Sequence, residues 1–226
     1  MSDPRIIVAL DVASAQEAAQ LVEQLGDSVS FYKVGLELYT AAGMGFVQSL
    51  IAQGKQVFLD LKLYDIGETV KRAVAVAAQS GVSLLTVHAV PQVMRAAVEG
   101  RGDSKLRILG VTVLTSLDDA DLKADGHHLT AGELVDLRVR NAVAAGVDGI
   151  VCSPLETARV RAITGPGMLI VTPGVRPASA EVGDQKRVAT PAQALANGAS
   201  HLVIGRPITR AADPRAAAQA ILAEIS

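Results

Sequence analysis

The 226-residue chain has one cysteine, no tryptophan and an aromatic content of only 3%. A single cysteine rules out a disulfide framework within the chain and makes a reducing compartment the default. With so few rings, the core has to be built from Val, Leu, Ile and Ala, which suits parallel strands buried on both faces beneath helices. An excess of one charge is also missing. The chain sets 21 Lys and Arg against 23 Asp and Glu, a formal net charge of -2, and no basic run exceeds two residues. Nothing therefore marks a nucleic-acid or membrane surface. No apolar stretch is long enough to span a bilayer, and the opening Met-Ser-Asp-Pro-Arg carries no apolar signal region. The expectation is a cytoplasmic protein with neither nucleic acid nor membrane as partner.

What the chain does have is alternation. Short β-branched runs at 6–10, 30–35, 57–62, 83–88, 108–114, 149–153, 169–172 and 201–205 are separated by Ala-rich amphipathic stretches. Those stretches cover 15–25, 36–52, 67–79, 90–99, 130–145, 156–163, 191–197 and 214–225. Thr130, three residues before Glu133, reads as a capping box, and Gly54, Gly81 and Gly198 stand just past helical stretches. Eight βα units in succession mean α/β with a parallel sheet. A doubly wound open sheet would carry a glycine-rich fingerprint after its first strand, whereas here that strand runs into Leu10-Asp11-Val12-Ala13. The sequence therefore predicts a (β/α)8 TIM barrel forming a single domain over residues 1–226. Two connections, 115–129 and 174–190, are long enough to be binding loops or lids.

Charge sits where such a barrel does its chemistry. Residues i and i+2 of a strand share a face, so Leu59 and Leu61 point one way while Asp60 and Lys62 point the other, into the barrel mouth. Asp65 follows in the next loop, Asp11 ends the first strand and Lys33 lies near the end of the second. All five belong at the C-terminal face, where barrel active sites lie. Their signs alternate, so they can pair. A structural ion-pair network closing the barrel is the plain reading, but an apolar filling would cost less than burying five charges. A lysine between two carboxylates stays protonated, which makes it a poor Schiff-base nucleophile but a good proton donor and a good stabiliser of a developing carbanion.

The loops after strands seven and eight are frequent phosphate sites in barrels. Here they read Thr172-Pro173-Gly174-Val175-Arg176 and Ile204-Gly205-Arg206-Pro207. Gly205 permits close backbone approach and Arg206 offers a bidentate fork, although a solvated loop and a surface arginine would look the same. Thr115 and Ser116 can offer hydroxyls to a ligand or simply cap a loop. Cys152 reads as a core thiol, His88 as a structural or pocket-wall residue rather than a metal ligand, and His127-His128 as surface.

The run Asp60-Leu61-Lys62-Leu63-Tyr64-Asp65-Ile66 resembles the D-x-K-x-x-D-I signature of the orotidine 5′-phosphate decarboxylase family. Further segments match in register: Leu10-Asp11, Lys33-Val34-Gly35, Val113-Leu114-Thr115-Ser116, the Thr172–Pro177 run, Gly183-Asp184-Gln185-Lys186-Arg187, and the Val203–Ile208 run. The resemblance implies decarboxylation of orotidine 5′-monophosphate to UMP and CO2, the last step of de novo pyrimidine synthesis, without metal or organic cofactor. It implies that Lys62 protonates C6, that Asp60 lies beside the departing carboxylate, and that Asp11 and Lys33 bind ribose hydroxyls, Lys33 also serving the catalytic network. It implies a homodimer in which Asp65 and Thr69, with Ile66 between them, reach the partner's site. Thr115 and Ser116 would then meet the pyrimidine, and Arg176, Gln185, Gly205 and Arg206 the phosphate end, with Pro173 also in the binding set. Two rivals stand beside this reading. One is a metal-dependent sugar-phosphate enzyme sharing the D-x-K-x-x-D core, against which Ile66 and the long 176–187 loop argue. The other is a non-catalytic phosphate-binding barrel, against which Lys62 between carboxylates argues.

Overall fold

The computed structural model describes residues 2–177 and 189–225. Among them, β1 (Ile6–Ala9), β2 (Phe31–Gly35), β3 (Gln56–Leu63), β4 (Leu84–His88), β5 (Arg107–Val111), β6 (Gly149–Val151), β7 (Leu169–Thr172) and β8 (His201–Ile204) pair in sequence order, all parallel, and β8 closes on β1. The predicted TIM barrel is the fold.

Alternation along the strands divides the core in two. Ile7, Ala9, Phe31, Phe58, Leu84, Leu109, Val111, Val151, Val171 and Val203 fill the barrel interior. Their strand neighbours Val8, Tyr32, Val34, Val57, Leu59, Leu85 and Ile170 face outward and pack under the helices. Each such side chain contributes about 1.5–3 kcal/mol when fully buried, so a one-residue slip of any strand would be heavily penalised. Gly149 lies on the inner face without a side chain. A Cβ there would come within 2.7 Å of both Leu109 and Leu169, so those two residues occupy its space.

The helices are α1 (Ala15–Leu25), α2 (Leu36–Ala52), α3 (Gly67–Gln79), α4 (Pro91–Arg101), α5 (Asp119–Ala124), α6 (Ala131–Ala145), α7 (Thr157–Thr164), α8 (Pro191–Ala196), α9 (Arg206–Thr209) and α10 (Pro214–Glu224). Local chemistry sets their starts. Ser14 accepts from the Glu17 N–H, Thr130 and Glu133 form the expected capping box, and Asp213 caps α10 ahead of its N-terminal proline. Four features depart from the sequence reading, one of them α9, which no helical stretch announced. The fifth strand ends at Val111 rather than Leu114, and the sixth at Val151 rather than Ser153. The 115–129 connection contains α5, held by a capping box between Asp118 and Asp121. The 36–52 helix is interrupted at Gly43, whose φ of 63° and ψ of -166° break the helical path. Among the described residues no helix is long and apolar enough to cross a membrane.

Candidate active site

The strands place their charged ends by plain alternation. Asp11 stands two residues beyond inward-facing Ala9, Lys33 two beyond Phe31, and Asp60 two beyond Phe58. The pairings of Ala9 with Lys33 and of Gly35 with Asp60 bring these ends to neighbouring positions. The result is a chain of contacts across three strands. Lys33 Nζ donates to Asp11 Oδ1 at 2.8 Å and lies 3.7 Å from Asp60 Oδ2, and Lys62 Nζ donates to the same Asp60 oxygen at 2.9 Å. Gly35 makes room for it. A Cβ at Gly35 would sit 2.8 Å from Lys33 Nζ and 3.2 Å from Asp11 Oδ1.

Asp60 is the hub. Its side chain keeps only 12% of its exposure. Burial by itself pushes the carboxyl up, but the Lys33 and Lys62 charges and the hydrogen bonds from Lys62 and Thr86 outweigh it and hold the group below its ordinary value. The Thr86 hydroxyl donates to Asp60 Oδ1 at 2.9 Å and accepts from the Lys62 backbone N–H at 3.0 Å. Sequence reasoning missed Thr86. A threonine in Leu84-Leu85-Thr86-Val87 reads as one more β-branched strand residue.

A cavity of about 590 Å³ opens above these residues. Of the sequence-predicted residues, Asp11, Lys33, Asp60, Lys62, Thr115, Ser116, Pro173, Arg176, Gly205 and Arg206 line it, together with Cys152 and the aliphatic side chains of Val111, Val113 and Val151. On the far wall Arg176 is buried, and its backbone N–H donates to the Ala189 carbonyl at 3.0 Å. Burial, with the Arg206 charge added, holds the Arg176 guanidinium below its ordinary value. Two cations close enough to disfavour each other face the cavity there. Gln185 lies outside the described residues.

Asp65, Ile66 and Thr69 are not among the cavity-lining residues. The turn after β3 carries them outward, and all three are exposed, Ile66 by 73%. Asp65 Oδ1 accepts from the Ile66 N–H at 2.6 Å and forms no ion pair with another described residue. Lys62 is therefore held by Asp60 of its own chain, not between Asp60 and Asp65. Next to this turn the Tyr64 ring packs against His88, with centroids 5.6 Å apart. Burial first, then the charges of Arg138 and Lys62, lower the pKa of His88. Arg138 on α6 reaches across to donate to the Thr112 carbonyl, just past the end of β5.

The family model described as "Orotidine 5'-phosphate decarboxylase / HUMPS family" matches residues 4–221. The chain is 58% identical to the orotidine 5′-phosphate decarboxylase of Rhodopseudomonas palustris (strain HaA2) over 98% of this chain and 94% of the relative. It is 58% identical to the one from Caulobacter vibrioides (strain NA1000 / CB15N) over 100% of this chain and 98% of the relative. The crystal structure of the orotidine 5′-phosphate decarboxylase from Lactobacillus acidophilus superposes with a TM-score of 0.88 at 38% identity, covering 99% of this chain and 100% of that one. With a closed barrel, a charged mouth and relatives matched nearly end to end, the chain belongs to the orotidine 5′-phosphate decarboxylase / HUMPS family.

Proposed function

We propose that this chain, acting as one domain over residues 1–226, decarboxylates orotidine 5′-monophosphate to UMP and CO2 in pyrimidine nucleotide synthesis. The observation that carries the reading is the Lys62 ammonium, held 2.9 Å from a buried carboxylate at the wall of a deep cavity whose far side gathers arginines. The names of the relatives supply the substrate. In this reading the phosphate lies by Arg176, Gly205 and Arg206, with Gln185 and Pro173 beside it, and Thr115 and Ser116 meet the pyrimidine. Asp11 and Lys33 take the ribose hydroxyls. The carboxylate at C6 then lies against Asp60.

The chemistry follows from charge. When the bond from C6 to the carboxylate breaks, its electron pair stays on C6 and CO2 departs. A proton from the Lys62 ammonium ends on C6, and the amine left behind recovers a proton from water. A fixed ammonium interacts more strongly with the developing carbanion than with the ground state, which is the difference that lowers a barrier. Each ~1.4 kcal/mol of that difference is tenfold in rate. The oxygens of Asp60 are engaged by Lys33, Lys62 and Thr86, and the cation they hold at the cavity is the Lys62 ammonium.

The enzyme works as a homodimer in this reading. Outward-turned Asp65, Ile66 and Thr69, beside exposed Tyr64, suit a contact across a two-fold axis in which each chain completes its partner's site. A buried free cysteine and the absence of any apolar spanning helix among the described residues suit a cytoplasmic enzyme. The direct test is the fall in ultraviolet absorbance on mixing the protein with orotidine 5′-monophosphate, before and after dialysis against a strong chelator. Steady turnover in both samples is expected. No turnover, or turnover lost to the chelator and restored by Mg²⁺, would overturn the assignment.

A further inference from the structure

β4 sets one hydroxyl between the two charged residues of β3. Thr86 is fully buried and does not line the cavity. It meets β3 where the pairing of β3 with β4 departs from regular. Leu59 pairs with Leu85 and the next pairing is Leu63 with Val87, so four steps along β3 match two along β4. Lys62 lies inside that stretch with φ of 50°, a conformation that no other non-glycine residue among the described ones adopts. Side chains with a Cβ hold such a conformation only where their surroundings fix it, and the bulge takes the Lys62 N–H out of the regular ladder. The Thr86 oxygen accepts from that N–H instead, at 3.0 Å.

The same hydroxyl fixes the carboxylate. Lys33 and Lys62 both engage Asp60 Oδ2, while Thr86 is the group bonded to Oδ1. Without Thr86 no other described residue is bonded to Oδ1, and the carboxylate could turn that oxygen too toward the lysines and shift the ammonium. A threonine hydroxyl has one proton to give and lone pairs to receive, so it can do both jobs at once.

We propose that Thr86 is a positioning residue for the reaction, its hydroxyl tying the Asp60 carboxylate to the Lys62 backbone and so aiming the Lys62 ammonium into the cavity. The proposal rests on the decarboxylase reading of the same site.

The experiment compares Thr86→Val and Thr86→Ser in the full chain. Valine keeps the shape and removes the hydroxyl; serine keeps the hydroxyl. Loss of a hydrogen bond to a charged group should lower kcat of the valine variant by roughly ten- to a hundredfold. KM should stay within about threefold, and serine should recover kcat to within about threefold of the original. A valine variant with kcat within about twofold of the original would overturn the proposal, as would a loss that serine does not restore or one carried wholly by KM. If the valine variant does not fold, Thr86→Cys carries the same test. A thiol donates weakly, so kcat should fall at least about fivefold, and full activity would overturn the proposal.

A second measurement does not depend on turnover. In protein with ¹³C-labelled aspartate carboxyls, the Asp60 signal should titrate at higher pH in the valine variant than in the original. The titratable groups around it, Lys33 on β2, Lys62 on β3 and, farther off, Asp11 and His88, are the same residues in both proteins. An unmoved titration would overturn the proposal. A protein that does not consume orotidine 5′-monophosphate at all would remove the decarboxylase reading, while the titration would still decide whether Thr86 holds Asp60.

Discussion

The two halves of the barrel mouth are built on opposite principles. Along β1 to β4 the Asp11–Lys33–Asp60–Lys62 chain pairs its charges within the protein, and Thr86 ties two of its members together. That half has its charges paired before any ligand arrives. Across the cavity, past the ends of β7 and β8, Arg176 and Arg206 bring like charges near one another, and Arg176 is buried as well. Such a wall gains when an anion enters. The difference teaches a division of labour. A pre-paired half suits the chemical step, where reorganisation would be costly, and a half that gathers arginines suits the binding of an anion.

That contrast can be broken by substitution. The largest effect is expected from Lys62→Ala, which should lower kcat by at least about a thousandfold in a folded protein, since one ammonium supplies both the proton and the charge. Retention of a tenth of the original kcat would mean that the pre-paired half is structural. Arg206→Ala should act through binding. It should cost the nucleotide about 1.5–3 kcal/mol in kcat/KM, roughly ten- to a hundredfold, and leave turnover of the nucleoside without phosphate almost untouched. Equal losses on both substrates would remove Arg206 from the phosphate wall.

Subunit mixing sharpens the comparison by asking whether the paired half is complete within one chain. Lys62→Ala and Asp65→Ala homodimers should each be nearly inactive. Random exchange makes about half the dimers mixed, and one site in each escapes both defects, so about a quarter of all sites should recover. No recovery after verified exchange would return Asp65 to its own barrel. The smallest effect belongs to the opposite end of the barrel. His201 starts β8 with its Nδ1 lacking a hydrogen-bond partner among the described residues. Burial, then the Arg107 charge, lowers its pKa below 6.5. The folded protein therefore holds this imidazole neutral, and the unfolded chain takes up its proton first. The associated stability is present in full above 6.5 and is lost as pH falls below it towards the lowered folded value. Denaturant midpoints measured from pH 7 downward should fall less steeply in His201→Phe, and equal slopes would show that His201 titrates as it does in the unfolded chain.

The paired half was the more legible in the sequence. Phe31 before Lys33 and Phe58 before Asp60 already assign faces, because a strand carries its own period of two. Eight alternating units likewise carried the barrel. The bulge was hidden, since no residue type announces a lysine with positive φ, and Thr86 was hidden with it. The place of Gly35 could be found only once the Lys33–Asp11 contact was known, because the glycine acts by leaving space. Helix α5 was missed although Asp118 and Asp121 announce it, because its capping box closes with Asp where Glu or Gln is usual. The outward turn of Asp65 is a matter of loop path, which alternation does not govern.

The interior beneath the site has a consequence for traffic. Leu109 and Leu169 close over the place of Gly149, and Ile7, Phe31, Phe58, Leu84 and Val171 fill the rest, so below the Asp60 level the barrel is a plug. Among the described residues, a molecule in the cavity has the mouth at the C-terminal strand ends as its way out. Nucleotide must enter, and CO2 and UMP must both depart, through the opening at the C-terminal ends of the strands. In the proposed reading the gas forms beside Asp60, at the deep end, and leaves past the nucleotide. Both products of the proposed reaction thereby share the route by which the substrate came in.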